Sequence, residues 1–193
     1  MNKGRLEAFS DGVIAIIVTI MVLEMKAPEG TSWQIIKPLM PKFISYMLSF
    51  LFVAIYWVNH HHLLHTVKKV KSSIMWANMN LLFWLSLIPF ATAWMGENHF
   101  EKITVVAYAV LALLCGLSFN ILQSTICKHY SDNDLLVAVG KGRWRSIAAV
   151  VLYVLAIPTA LFINTIAACS MFLVVSIIWL IPDKHIEEVL DHE

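Results

Sequence analysis

The chain has 193 residues, 59% of them hydrophobic and 14% charged, with a formal net charge of +1 and a mean hydropathy of +0.73. Soluble domains hold about 45–50% apolar and about 25% charged residues, so this composition excludes a water-soluble globular protein, and no nucleic-acid partner is expected. At about 20 residues per spanning helix, the length allows about six spans. Residues 1–193 are therefore expected to form a single all-α transmembrane domain.

In chain order, Met1 to Ser10 carries Lys3 and Arg5, but no small-x-small cleavage site follows the first apolar run. The first helix is expected to remain in place. The run Arg5-Leu6-Glu7-Ala8-Phe9-Ser10-Asp11 stands directly against the apolar stretch Gly12 to Leu23. An acid in that position costs free energy unless a buried partner or water meets it. Apolar segments predict helices at about residues 10–25, 40–66, 74–95, 101–127, 143–162 and 165–182. Strands are excluded because an open strand edge has no partner in lipid. Pro89 and Pro158 are expected kinks, and Asn164 marks a tight hairpin between the last two helices. Cys115, Cys127 and Cys169 have no paired spacing and read as small apolar residues.

Basic residues set the orientation. Lys3, Arg5, Lys68, Lys69, Lys71, Lys128, Lys141, Arg143, Arg145 and Lys184 fall on one side, against Lys26, Lys37, Lys42 and Lys102 on the other. The positive-inside rule places both termini in the cytoplasm, in agreement with an even number of spans. Membrane lipid is an expected partner, with weak attraction of Lys68 to Lys71 to anionic headgroups.

Projection of the first helix at about 100° per residue puts Phe9, Gly12, Ile16, Ile20 and Leu23 on one stripe, flanked by Thr19. Asp11 points almost the opposite way, towards the rest of the subunit. Polar partners stand at the same depth: Asn59, His60 and His61 close the second segment, and Asn78 and Asn80 open the third. With Ser10 and Asp11 they are expected to form a hydrogen-bonded network that satisfies groups expensive to bury. The histidines admit three readings. His61 and His65 are four apart, as on a metal-binding helix face, but no acidic residue between them and no third ligand completes a set. Imidazole titration near neutrality offers a proton relay. Interfacial residues tying helix ends together is the reading preferred, with no metal site.

Arg5-x-x-x-Phe9-Ser10-Asp11 at the head of the first helix resembles the signature of the transmembrane protein 175 family of potassium channels. Trp57-x-x-His60-His61, Ser86-Leu87-Ile88-Pro89-Phe90 and Trp179-Leu180-Ile181-Pro182-Asp183 extend the resemblance along the chain. The resemblance implies six helices per repeat. A single repeat implies a prokaryotic-type homotetramer in the cell membrane, with the four first helices around a central pore. It further implies that Ile16 forms a narrow hydrophobic constriction, that Ile20 and Leu23 line the pore beyond it, and that Thr19 contributes to selectivity. Arg5, Phe9, Ser10 and Asp11 would then anchor the helix rather than touch the ion.

No Thr-Val-Gly-Tyr-Gly filter is present, since Thr104-Val105-Val106-Ala107-Tyr108 lacks both glycines. The expected function is a weakly to moderately potassium-selective channel gated by dewetting of the aliphatic constriction, with K+ as the permeant ion and no cofactor. A proton-conducting channel using the same pore is the first alternative. A membrane enzyme or metal-binding membrane protein built on the second-helix histidines is the second, and an enzyme is not the expected outcome.

Overall fold

The computed structural model describes residues 2–30, 32–129 and 143–180, and those residues are helical apart from short connections. The first helix, α1, runs over Lys3–Leu23, and the Asn2 side chain caps it by accepting from the Gly4 amide at 3.3 Å. It therefore starts seven residues before the expected position 10 and takes in the whole Arg5 to Asp11 motif. Nothing in that motif breaks a helix, and Ser10 and Asp11 find partners on neighbouring helices. Two 3-10 turns, Trp33–Ile35 and Lys37–Leu39, lead into α2 at Met40–His65.

The third apolar segment is two helices, α3 (Ser72–Ser86) and α4 (Ile88–Glu97). The break falls at Leu87 because Pro89 has no amide to bond the carbonyl of Leu85 and its ring crowds that carbonyl. Stacked end to end, the two still make one span of 26 residues. After α5 (Lys102–His129), α6 (Arg143–Phe162) continues through Pro158, so this proline does not end the helix as Pro89 does. A hairpin then enters α7 (Thr165–Leu180). The Ile163 and Asn164 amides both donate to the Thr159 carbonyl, and Asn164 Oδ1 accepts from the Ile166 amide at 2.7 Å. Asn164 thus closes one helix and caps the next. Among the described residues five spans are long and apolar enough to cross a bilayer, and α7, at 16 residues, is a shorter apolar helix. The predicted end of the last helix at 181–182 and the tail Lys184 lie outside the described residues.

In lipid no hydrophobic force drives helix against helix, so close packing and interhelical hydrogen bonds hold the bundle. α5 is the central post, packed on α3, α4 and α6, with Ala109, Ala112 and Cys115 fully buried. A polar seam joins α2, α4 and α5. Ser45 Oγ donates to the Thr92 carbonyl at 2.6 Å, Thr92 Oγ1 lies 2.7 Å from Ser49 Oγ, and Ser49 Oγ lies 3.0 Å from Tyr108 Oη. At the end of that seam Gly96 lets α2 and α4 touch backbone to backbone, since a Cβ there would sit 2.8 Å from Lys42 Cα. Beside it Lys42 Nζ pairs with Glu97 at 2.8 Å. Gly96→Val is expected to force the two helices apart and cost about 1–3 kcal/mol, as overpacking does. Thermal unfolding of the purified protein measures this, with Lys42→Met as a comparison expected to cost under about 1 kcal/mol because that pair is partly exposed.

Candidate functional site

α1 has two faces of different character. Leu6, Ser10, Ile14, Ile17 and Met21 are buried against α2, α3 and α4. Ile16 is 59% exposed, Ile20 41% and Leu23 71%. Gly12 and Thr19 lie on the same outer surface, and a Cβ added at Gly12 would meet nothing within 4 Å. The Thr19 hydroxyl donates to the Ala15 carbonyl at 2.8 Å, so its donor is used within the helix while its lone pairs remain outward. An aliphatic stripe with one hydroxyl layer therefore forms the free surface of the helix.

The inner face is fastened by a directed chain of hydrogen bonds. The Ser10 hydroxyl donates to the Leu6 carbonyl at 2.9 Å, which leaves its oxygen as an acceptor. Asn78 Nδ2 donates to that oxygen at 2.9 Å, so Asn78 Oδ1 must be the acceptor facing His60. His60 Nε2 lies 2.6 Å from it and carries the proton. Ser10, His60 and Asn78 are all buried, so each partner is hard to replace.

Asp11 is held separately and nearer the surface, where the Trp57 indole N–H donates to Oδ1 at 3.0 Å. Asp11 is only half-buried, so Ser10 rather than Asp11 is the residue that reaches the core. Arg5 and Phe9 are exposed within the helix and line a groove with Met75, Trp76 and Met79. Lys3 adds a fastening that sequence reasoning missed, with Nζ 2.7 Å from the His65 carbonyl at the C-terminus of α2. A cation there meets the negative end of the helix dipole.

The other expected network members go elsewhere. Asn59 donates to the Ile55 carbonyl of its own helix, and Asn80 donates to Ser118 Oγ at 2.8 Å. His61 lies on the outer side of α2, its ring 6.2 Å from that of Trp57 and 6.4 Å from that of His65. The departure of His61 follows from helical phase, since His60 and His61 point about 100° apart and only one can face α3. Among the described residues no three His, Cys, Asp or Glu side chains gather as a metal site would require.

Residues 5–89 match the family model described as endosomal/lysosomal potassium channel TMEM175. Among curated proteins, a potassium channel of Chryseobacterium sp. (strain P1-3) is 48% identical over 190 residues, covering 98% of each chain. A potassium channel of Chamaesiphon minutus is 31% identical over 146 residues, covering 71% of this chain and 70% of that one. The human endosomal/lysosomal proton channel TMEM175 is 31% identical over 103 residues, which is 47% of this chain and 20% of the human protein. The crystal structure of a lysosomal potassium-selective channel TMEM175 homolog from Chamaesiphon minutus superposes with a TM-score of 0.78 at 26% identity, covering 94% of this chain and 97% of that one. These relatives are channels and not enzymes, and with its apolar helices the chain is a multi-pass membrane protein. Matched over nearly its full length by one such channel and in fold by another, the chain belongs to the TMEM175 family.

Proposed function

We propose that this protein is a potassium channel of the cell membrane in which residues 1–193 act as one pore-forming unit, four copies assembling with α1 around the axis. The observation that carries the reading is the outer face of α1. Ile16, Ile20 and Leu23 stand exposed on a helix whose opposite face is fastened by Ser10, Asn78 and His60. An unpartnered aliphatic stripe fits a constriction that excludes water when narrow and conducts when it widens. The groove beside it, lined by Arg5, Phe9 and Trp76, suits the neighbouring copy. Thr19 is the one polar layer among the stripe residues and the candidate for selectivity. Both termini lie on the cytoplasmic side by the positive-inside rule, and no cofactor is needed beyond the permeant K+.

A second reading, proton conduction, is favoured by the names of the animal relatives. The His60 chain gives it little support. The chain passes through the amide of Asn78, which does not titrate, and ends on the Leu6 carbonyl. Flux from purified protein in liposomes, with K+, Na+ and Cs+ gradients at two pH values, separates the readings. Potassium conduction predicts a reversal potential that follows the K+ gradient; one that follows pH overturns it.

Asp11→Ala tests the division between fastening and pore. It removes the acceptor for Trp57 and is expected to lower the yield of assembled protein severalfold, leaving the K+/Na+ permeability ratio unchanged. An intact assembly with an altered ratio would place Asp11 at the ion path.

A further inference from the structure

A cavity lies inside the subunit between α2, α5, α6 and α7, away from the outer face of α1, with about 460 Å³ of space including its mouth. It occupies the half of the bundle nearer the α1 N-terminus, since Asn59 is close to the end of α2, Ser146 to the start of α6 and Trp179 to the end of α7. Its walls are aromatic. Tyr56 meets Phe52 at 4.8 Å and Phe119 edge-on at 5.8 Å between ring centroids, and Phe119 meets Trp179 at 6.1 Å. Gly116 keeps one wall open, because a Cβ there would only just reach the Tyr56 hydroxyl, at 3.7 Å.

Polar groups without protein partners face this apolar space. Tyr153 lines the cavity and is 3% exposed, yet its hydroxyl has no hydrogen-bond partner among the described residues. The same holds for the half-buried Asn120 side chain, which also lines the cavity. Neither group is sealed off within the protein, so each is open to a hydrogen-bonding guest in the cavity. Among the described residues no charged side chain lines the cavity, so an ion or a lipid headgroup would find no counter-charge from them.

We propose that this cavity is a binding site for a small neutral amphiphile with an aromatic or compact apolar body and one hydroxyl group, of the class of simple phenols. The rings of Phe52, Phe119 and Trp179 would hold the body, and Tyr153 and Asn120 would pair with the hydroxyl. Such pockets, mostly apolar with a few convergent polar groups between helices, are the usual form of small-molecule sites. Its occupancy bears on α1 through α2, because Tyr56 and Asn59 line the cavity on the same two turns that present Trp57 to Asp11 and His60 to Asn78.

The test uses the full chain in liposomes and a phenol carrying a photoactivatable diazirine, with labelled peptides mapped by mass spectrometry. Labelling is expected on the segments bearing Tyr56, Asn120 and Tyr153, and excess unmodified phenol should displace it. Gly116→Leu fills the space and is expected to reduce labelling at least about tenfold. Tyr153→Phe removes only the hydroxyl and is expected to reduce it about threefold, the loss of one hydrogen bond. Should Gly116→Leu fail to fold, Tyr153→Phe decides alone. Labelling spread over the outward residues Ile121, Ile147 and Val151, or unchanged by the variants that fold, overturns the proposal. The readout is binding, so its outcome does not depend on whether the protein conducts.

Discussion

Ile16→Asn is expected to raise the resting conductance of the reconstituted protein at least about tenfold, equivalent to removing about 1.4 kcal/mol from the barrier. Ile16 is 59% exposed on a helix whose neighbouring positions Ile14 and Ile17 are each 3% exposed, so substitution there changes the free surface and not the core. In the proposed tetramer, four Ile16 side chains around the axis would offer water no hydrogen bonds, and a narrow aliphatic ring dewets. An amide in each position gives water partners and holds the passage wet. Ile16→Trp is expected to do the reverse and abolish current, because the added bulk closes the ring. Single-channel recording checks both variants. Unchanged currents in the two together would remove Ile16 from the constriction.

The second large effect is expected at Asn78, and it is an effect on folding. Interhelical hydrogen bonds in membrane proteins contribute about 0.6 kcal/mol on average and at most about 1.7, because a freed group usually finds another partner. Here the freed group is the His60 Nε2–H, 1% exposed, with neither water nor lipid headgroup in reach. Asn78→Leu keeps the side-chain volume and removes both its links, one to His60 and one to Ser10. The cost should therefore approach the upper end, about 1.7 kcal/mol, and appear as a fall in thermal midpoint of several degrees. Asn80→Leu serves as the comparison. Asn80 lies nearer the surface, and its bond to Ser118 leaves a small hydroxyl that can turn to its own helix, so a loss under about 1 kcal/mol is expected. Equal losses at the two positions would mean that the buried chain has no special weight.

Much of this architecture was legible because a bilayer permits so few solutions. The second, fifth and sixth apolar segments end within about three residues of their predicted boundaries where the structure is described, since hydropathy and the membrane set their length together. The first helix was read too short because its expected start at about residue 10 followed the apolar run, which leaves out Lys3 to Phe9. Only tertiary partners such as the Trp57 indole and the His65 carbonyl reveal a continuous helix. Pro89 marked a kink, yet whether a proline ends a helix or is carried within it, as Pro158 is, depends on packing that no local signal encodes. Within the network, composition could identify Asn59, His60, His61, Asn78 and Asn80 as polar residues at one depth. Choosing His60 and Asn78 among them requires the rotation of α2 against α3, which is fixed by side chains far along both helices. The seam of Ser45, Ser49, Thr92 and Tyr108 was passed over for a related reason. Small hydroxyl residues inside apolar segments are the usual glue between membrane helices, and they stand out from an apolar run far less than an amide or imidazole does.

The central claim is that ions pass along the outer face of α1, and a cysteine at Ile20 tests it most directly. With Cys115, Cys127 and Cys169 replaced by alanine, Ile20→Cys is treated during bilayer recording with a cationic thiol reagent. Phe83→Cys, an exposed position on α3, serves as the control. The account predicts irreversible loss of potassium current at Ile20→Cys and none at Phe83→Cys. Current that survives complete modification at Ile20, or that disappears on modification at Phe83, would contradict it.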